Sequence, residues 1–190
     1  MFALKKEYFL IIESIKDINL SIKNKSNKIN IIYRRRKKIE NIDEVKQFRR
    51  ICKRKRLNFF VSNDLELATR LKADGIYISA FNKDLSLSRL KHSKLRIIGS
   101  AHNFKELNIK ITQGCKDILF SRIFKTSYVD KPNYLGITKY NLLTMKFKHN
   151  LVPLGGIRLA NLNKLKITKC NAFAILSEVK KKPAIISRLF

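Results

Sequence analysis

Short apolar runs recur along the chain at positions 8–12, 29–33, 58–62, 75–78, 96–99, 117–120, 151–154 and 172–176. Each has the length of a strand, and several are bounded by Gly, Asn or Asp. They lack clean apolar–polar alternation, the pattern of strands buried on both faces of a parallel sheet. Between them the period changes. Ile42, Val45, Phe48, Ile51 and Cys52 recur at helical spacing with Lys and Arg interposed. Asp64 follows a strand and precedes Leu65, Leu67, Ala68 and Leu71, as a residue near a helix start does. Positions 104–111 and 159–167 carry similar, weaker helical patterns. The alternation predicts an α/β fold with a parallel sheet and helices outside it. Eight strands point to a closed (β/α)8 TIM barrel. An open doubly wound sheet is the alternative, but no GxGxxG follows the first strand. At 190 residues the chain is one domain, 1–190, just below the ~200 residues usual for this barrel, so its loops and helices must be trimmed.

Composition changes this picture little. Hydrophobic residues make up 45% of the chain, enough for a core, and 6 Gly and 3 Pro leave most of it for regular elements. The net charge is +28, from 42 Lys+Arg against 14 Asp+Glu. That charge admits a nucleic-acid partner. However, the basic residues are spread along the whole chain and do not alternate with aromatics as a base-stacking platform would. Anionic small-molecule substrates make better use of them. Cys52, Cys115 and Cys170 are widely spaced, with no CxxC, and read as small apolar core residues rather than a disulfide framework or zinc site. The first residues, MFALKKEYFLII, lack the long apolar region and cleavage site of a signal peptide. No stretch approaches the ~20 apolar residues of a membrane span. The expectation is a cytoplasmic protein.

In a barrel of this kind the chemistry sits at the C-terminal mouth, just after each strand. After the second strand come Tyr33, Arg34, Arg35, Arg36, Lys37 and Lys38. Alternation along a strand would aim Tyr33, Arg35 and Lys37 at the mouth, where converging cations suit a diphosphate. A solvated basic loop is the plainer reading. After the third strand, Asn63 and Asp64 offer hard oxygen ligands for Mg²⁺ beside a phosphate, or simply a helix cap. After the seventh, Gly155 and Gly156 let backbone N–H groups approach a phosphate where barrels commonly bind it. Ser177, after the eighth strand, would complete that cradle.

These residues resemble the thiamine phosphate synthase family, which also includes the thiazole tautomerases. Tyr33-x-Arg35-x-Lys37 resembles the family's Gln-x-Arg-x-Lys diphosphate clamp. Ser62-Asn63-Asp64, followed by Ala73-Asp74-Gly75-Ile76-Tyr77-Ile78, is similar to its Asn-Asp segment and Ala-Asp-Gly-Val-His-Leu strand. Gly99-Ser100-Ala101-His102 resembles the Ser-x-His segment, and Ile123-Phe124-Lys125-Thr126 the Phe-Pro-Thr loop. Pro153-Leu154-Gly155-Gly156-Ile157 and the strand ending in Ser177 complete the series over nearly the whole chain.

The resemblance implies coupling of a hydroxymethylpyrimidine diphosphate to a thiazole phosphate, with loss of diphosphate before the bond to the thiazole nitrogen forms. It assigns Arg35, Lys37, Asn63 and Asp64 to the diphosphate and Mg²⁺, and Ser100 to the pyrimidine. Thr126, Gly155, Gly156 and Ser177 would hold the thiazole phosphate. Some positions depart from the family pattern. Tyr33 replaces the clamp glutamine, Tyr77, Ser79 and Ala80 replace a histidine and Gly-Gln, and Ser121-Arg122 replaces Gly-Pro. The second metal aspartate is matched only by Asp84, about two residues late. A tautomerase, with His102 as the base, and a non-catalytic binder of thiazole or thiamine phosphates stand as alternatives.

Overall fold

The computed structural model describes residues 7–20, 28–35, 40–92, 95–126 and 133–176. Eight parallel strands close into one barrel in sequence order. They are β1 (Glu7–Ile12), β2 (Lys28–Tyr33), β3 (Asn58–Ser62), β4 (Gly75–Ile78), β5 (Arg96–Ala101), β6 (Asp117–Ser121), β7 (Asn150–Leu154) and β8 (Ala172–Ile175). The closing pair is β1 with β8, in register from Glu7 with Ala172 to Leu10 with Ile175.

The trimming falls on the helices. Among the described residues the α-helices are α1 (Ile42–Arg54), α2 (Leu65–Arg70), α3 (Phe104–Thr112) and α4 (Gly136–Lys146). Short 3-10 segments, Ile15–Asp17, Leu85–His92 and Leu159–Ile167, stand where other helices would. The last of these carries the weak helical pattern expected at 159–167. None of the described helices is long and apolar enough to cross a membrane.

Local chemistry explains the helix starts. Asn41 caps α1 through Asp43 N, Asp64 caps α2 through Leu67 N, and Asn103 caps α3 through Glu106 N. In α1, Asp43 and Glu44 lie in the first turn and Lys53 and Arg54 in the last, matching the helix dipole. Its Val45, Phe48 and Cys52 face the sheet. Arg49 Nη2 reaches Asp74 Oδ1 at 2.9 Å, while Asp74 Oδ2 accepts from Phe59 N at 2.7 Å, fixing α1 to the β3–β4 connection.

Buried side chains divide into two layers. One joins Tyr8, Leu10, Ile31, Tyr33, Phe59 and Ile76 to helix residues such as Phe48, Ala68 and Leu107, so it lies between sheet and helices. The other consists of strand residues, including Phe9, Ile11, Ile32, Phe60, Tyr77, Ile98, Leu119 and Val152, and fills the barrel. Below it the strand starts form a polar floor. Arg96 contacts Glu7 Oε1 at 2.6 Å and Asp117 Oδ2 at 2.7 Å. Asn30 donates to Glu7, Asn58 to Asn30, and Asn150 to Asp117. Arg96 also lies over the Phe9 ring, 5.7 Å from its centroid.

Candidate active site

The parity of β2 decides which cations face the substrate. Ile32 lies inside the barrel and Tyr33 in the outer layer, so Arg34 continues the inward series. This corrects the expectation for Tyr33, which points away from the mouth into the outer layer. Tyr33 stacks on Phe59 at 6.0 Å, and its hydroxyl donates to Glu40 Oε2 at 2.6 Å. Burial and the Glu40 carboxylate both push that phenol's pKa up. Arg34 Nη2 pairs with Glu13 Oε1 at 2.8 Å, while its Nε is buried with no partner among the described residues. An unpartnered guanidinium N–H inside a protein is costly unless a ligand meets it. Arg35 lies at the rim, half-exposed, 4.0 Å from Asp64 Oδ2. Lys37 lies outside the described residues, as does Ser177.

The ends of β3 and β4 are stitched together by Asn63, at a left-handed φ of 57°. Its Oδ1 accepts from Ser79 N at 2.9 Å and from Asn82 Nδ2 at 3.3 Å, and its Nδ2 donates to Ser79 Oγ at 2.9 Å. An amide carries two N–H donors, so one remains for a phosphate oxygen. Asp64 is a helix cap through Oδ1 and faces Arg35 through Oδ2. Asp84 is fully exposed, and both its oxygens go to Ser86, to the backbone N at 2.9 Å and Oγ at 2.8 Å. Those Ser86 hydrogen bonds hold its carboxyl below the usual value. Both Asp84 oxygens are thus engaged within its own turn. Among the described residues no cluster of three His, Cys, Asp or Glu side chains stands ready for a metal. Asp64 alone fits the role of protein carboxylate, in a site completed by substrate oxygens. Asp84 acts as a turn-forming residue.

On the far side of the mouth, Ser100 and Tyr77 are buried inside the barrel and share a hydrogen bond of 2.8 Å. Burial raises the Tyr77 phenol's pKa. His102, just past β5, has Nδ1 2.6 Å from Ser121 Oγ at the end of β6. Its backbone N donates to Glu106 Oε2 at 2.7 Å, tying the residue to the start of α3.

The glycine pair after β7 has φ values of 91° and 69°, which favour glycine. A Cβ on Gly156 would stand 2.5 Å from Phe124 O and 2.6 Å from Lys125 O. Close approach is thus required first by the β6–α4 loop, which also donates Phe124 N to Gly155 O at 3.1 Å. That docking brings Thr126 alongside, and its Oγ1 is buried with no partner among the described residues. Arg34, Glu13, Ser121 and Asn82 are mouth residues that the sequence pattern did not single out. A lone polar residue amid the apolar β2, Asn30, was the one available marker of inward parity.

The family described as "Thiamine monophosphate synthase" matches residues 16–179. A thiamine-phosphate synthase of Pelagibacter ubique (strain HTCC1062) is 30% identical over 177 residues, covering 88% of this chain and 85% of that protein. One of Prochlorococcus marinus (strain AS9601) is 28% identical over 141 residues, 74% of this chain, and the match spans only 40% of that relative's length. Among solved structures, a thiamine phosphate pyrophosphorylase from Pyrococcus furiosus shares the fold, with a TM-score of 0.70 at 16% identity, over 99% of this chain and 98% of that one. An eight-stranded parallel barrel and a family match over most of the length agree: this chain belongs to the thiamine monophosphate synthase family.

Proposed function

We propose that this protein couples hydroxymethylpyrimidine diphosphate to thiazole phosphate, releasing diphosphate and forming thiamine phosphate. The observation that carries the reading is a mouth with two separate unmet polar groups, Arg34 Nε on one side and Thr126 Oγ1 on the other. Arg34 and Arg35, with the free N–H of Asn63, suit the diphosphate. Thr126 and the loop docked on Gly155 and Gly156 suit the thiazole phosphate, with Ser177 as a further contributor.

In the reaction the bond from the pyrimidine methylene carbon to the diphosphate oxygen breaks, and the oxygen keeps the electron pair. The thiazole nitrogen then donates its lone pair to that carbon. Arg34 and Arg35 stabilise the charge that develops on the leaving group. Ile32, Ile98, Tyr77 and Leu119, packed inside the barrel, give the mouth a water-poor floor that protects a cationic pyrimidine from hydrolysis. Ser100 and His102 continue the inward series of Ile98 at that end of the barrel. Mg²⁺, held by Asp64 and substrate oxygens, would neutralise diphosphate charge when bound. A cytoplasmic setting suits such small phosphorylated substrates.

One observation favours a second reading. The His102–Ser121 contact together with a single carboxylate suits a proton-moving thiazole tautomerase. Incubation with both substrates and Mg²⁺ separates the two, with thiamine phosphate read as its fluorescent oxidation product. Product and diphosphate appearing in equal amounts support the synthase. No coupling, with proton exchange into a thiazole carboxylate phosphate, would replace it by the tautomerase.

A further inference from the structure

The β4 loop presents a feature that the phosphate sites do not use. Ser79 O accepts from Asn82 N at 3.1 Å, making a tight turn with Phe81 at its apex. Phe81 is 78% exposed, although it is the residue there with most to gain from burial. Its ring meets the His102 ring edge-on, with centroids 6.1 Å apart. An exposed aromatic side chain thus stands at the barrel mouth, beside Ser100 and His102 at the end assigned to the pyrimidine.

The turn is held rigidly from below. Lys110 is fully buried in α3, and its Nζ donates to Asn82 O at 2.5 Å and to Gln113 Oε1 at 2.7 Å. Gln113, also fully buried, donates through Nε2 to Asn82 O at 3.2 Å and Asp84 O at 2.9 Å. Gly99 makes room for the lysine stem, since a Cβ there would meet Lys110 Cδ at 3.0 Å. Burying an ammonium group and an amide to grip the loop carbonyls of Asn82 and Asp84 is expensive, which argues that the position of this turn matters. Burial pushes the Lys110 pKa down, and a neutral amine, with two N–H donors, still serves both acceptors.

We infer that Phe81 is the face on which the pyrimidine ring of the substrate stacks, with Lys110 and Gln113 as positioning residues that hold it there. The inference rests on the proposed function. An aminopyrimidine is planar and aromatic, and offset stacking on a phenyl ring at 4.5–7 Å is its favoured contact. A ring face also attracts the positive charge that develops on the pyrimidine once diphosphate departs.

The chain contains no Trp, so Phe81→Trp creates a single fluorescent reporter at the proposed contact. Hydroxymethylpyrimidine diphosphate should quench its emission, whereas inorganic diphosphate should not. Phe81→Leu keeps apolar bulk but lacks a ring. It should bind hydroxymethylpyrimidine diphosphate about tenfold more weakly, the scale of one stacked base, and inorganic diphosphate unchanged. Calorimetric binding without quenching, or equal affinity in the leucine variant, overturns the stacking face and leaves the functional reading intact. No calorimetric binding of hydroxymethylpyrimidine diphosphate to the wild-type chain overturns the functional reading, and the stacking face with it.

Discussion

Single residues at the mouth carry separable roles. Asp64 is both cap and candidate ligand, and Asp64→Asn distinguishes them because asparagine caps a helix equally well. The variant should keep its melting temperature and lose the Mg²⁺-dependent part of its diphosphate affinity in calorimetry. Diphosphate binding that still strengthens on adding Mg²⁺ would remove Asp64 from the metal site. Gly156→Val should lose about 2–4 kcal/mol of stability, from strain at positive φ and collision with the Phe124 and Lys125 carbonyls. A denaturation midpoint like that of the wild type would show that the β6–α4 loop is free to move away. The need for glycine at 155 and 156 was legible in the sequence, but what approaches closely in the structure is the β6–α4 loop. The inward turn of Arg34 was not legible. Apart from Asn30, apolar residues cover both faces of β2, and three consecutive arginines supplied no contrast.

Elements were the most legible level. All eight strands lie within two residues of the apolar runs, and Asn41, Asp64 and Asn103 start helices as their types predict. The 159–167 segment is helical as its pattern predicts, but in the tighter 3-10 form. Lys110 was opaque, since a lysine inside a helical pattern reads as solvated face. Its burial depends on Gly99 and on loop carbonyls distant in sequence. Lys110→Met preserves length and removes the donor. Amide hydrogen exchange over positions 82–86 should then accelerate about tenfold relative to the barrel strands, as a loop loses its anchor. Unaltered exchange would show that Gln113 alone suffices.

At the scale of the whole molecule, stability and charge are set apart from the mouth. Burial alone would raise the Glu7 carboxyl's pKa, but Arg96, Asn30 and Lys28 outweigh it and hold the value down. Its contribution is complete above the ordinary value of 4.5 and is lost as pH falls through the lower, folded value. Cys52 and Cys115 behave oppositely. Burial raises both thiols to about 12, so their contribution is complete below 9.0 and fades as pH rises toward 12. Thermal melts across pH should therefore trace a dome falling on both sides. Glu7→Gln should lower it by roughly 2 kcal/mol at neutral pH and flatten the acid limb. An acid limb as steep as the wild type's would place the responsible carboxylate elsewhere. The +28 charge surrounds this frame without a described nucleic-acid platform, and duplex binding, if measured, should collapse with salt.

The central claim is that one barrel mouth holds two different phosphates on opposite sides. Its most direct test is calorimetry of hydroxymethylpyrimidine diphosphate and thiazole phosphate, separately, on Arg34→Gln and Thr126→Val. The account predicts a crossed pattern. Arg34→Gln weakens the diphosphate at least tenfold and spares thiazole phosphate, Thr126→Val does the reverse, and each spared ligand certifies the fold. Both ligands weakened alike by either variant, or neither weakened by both, would contradict it.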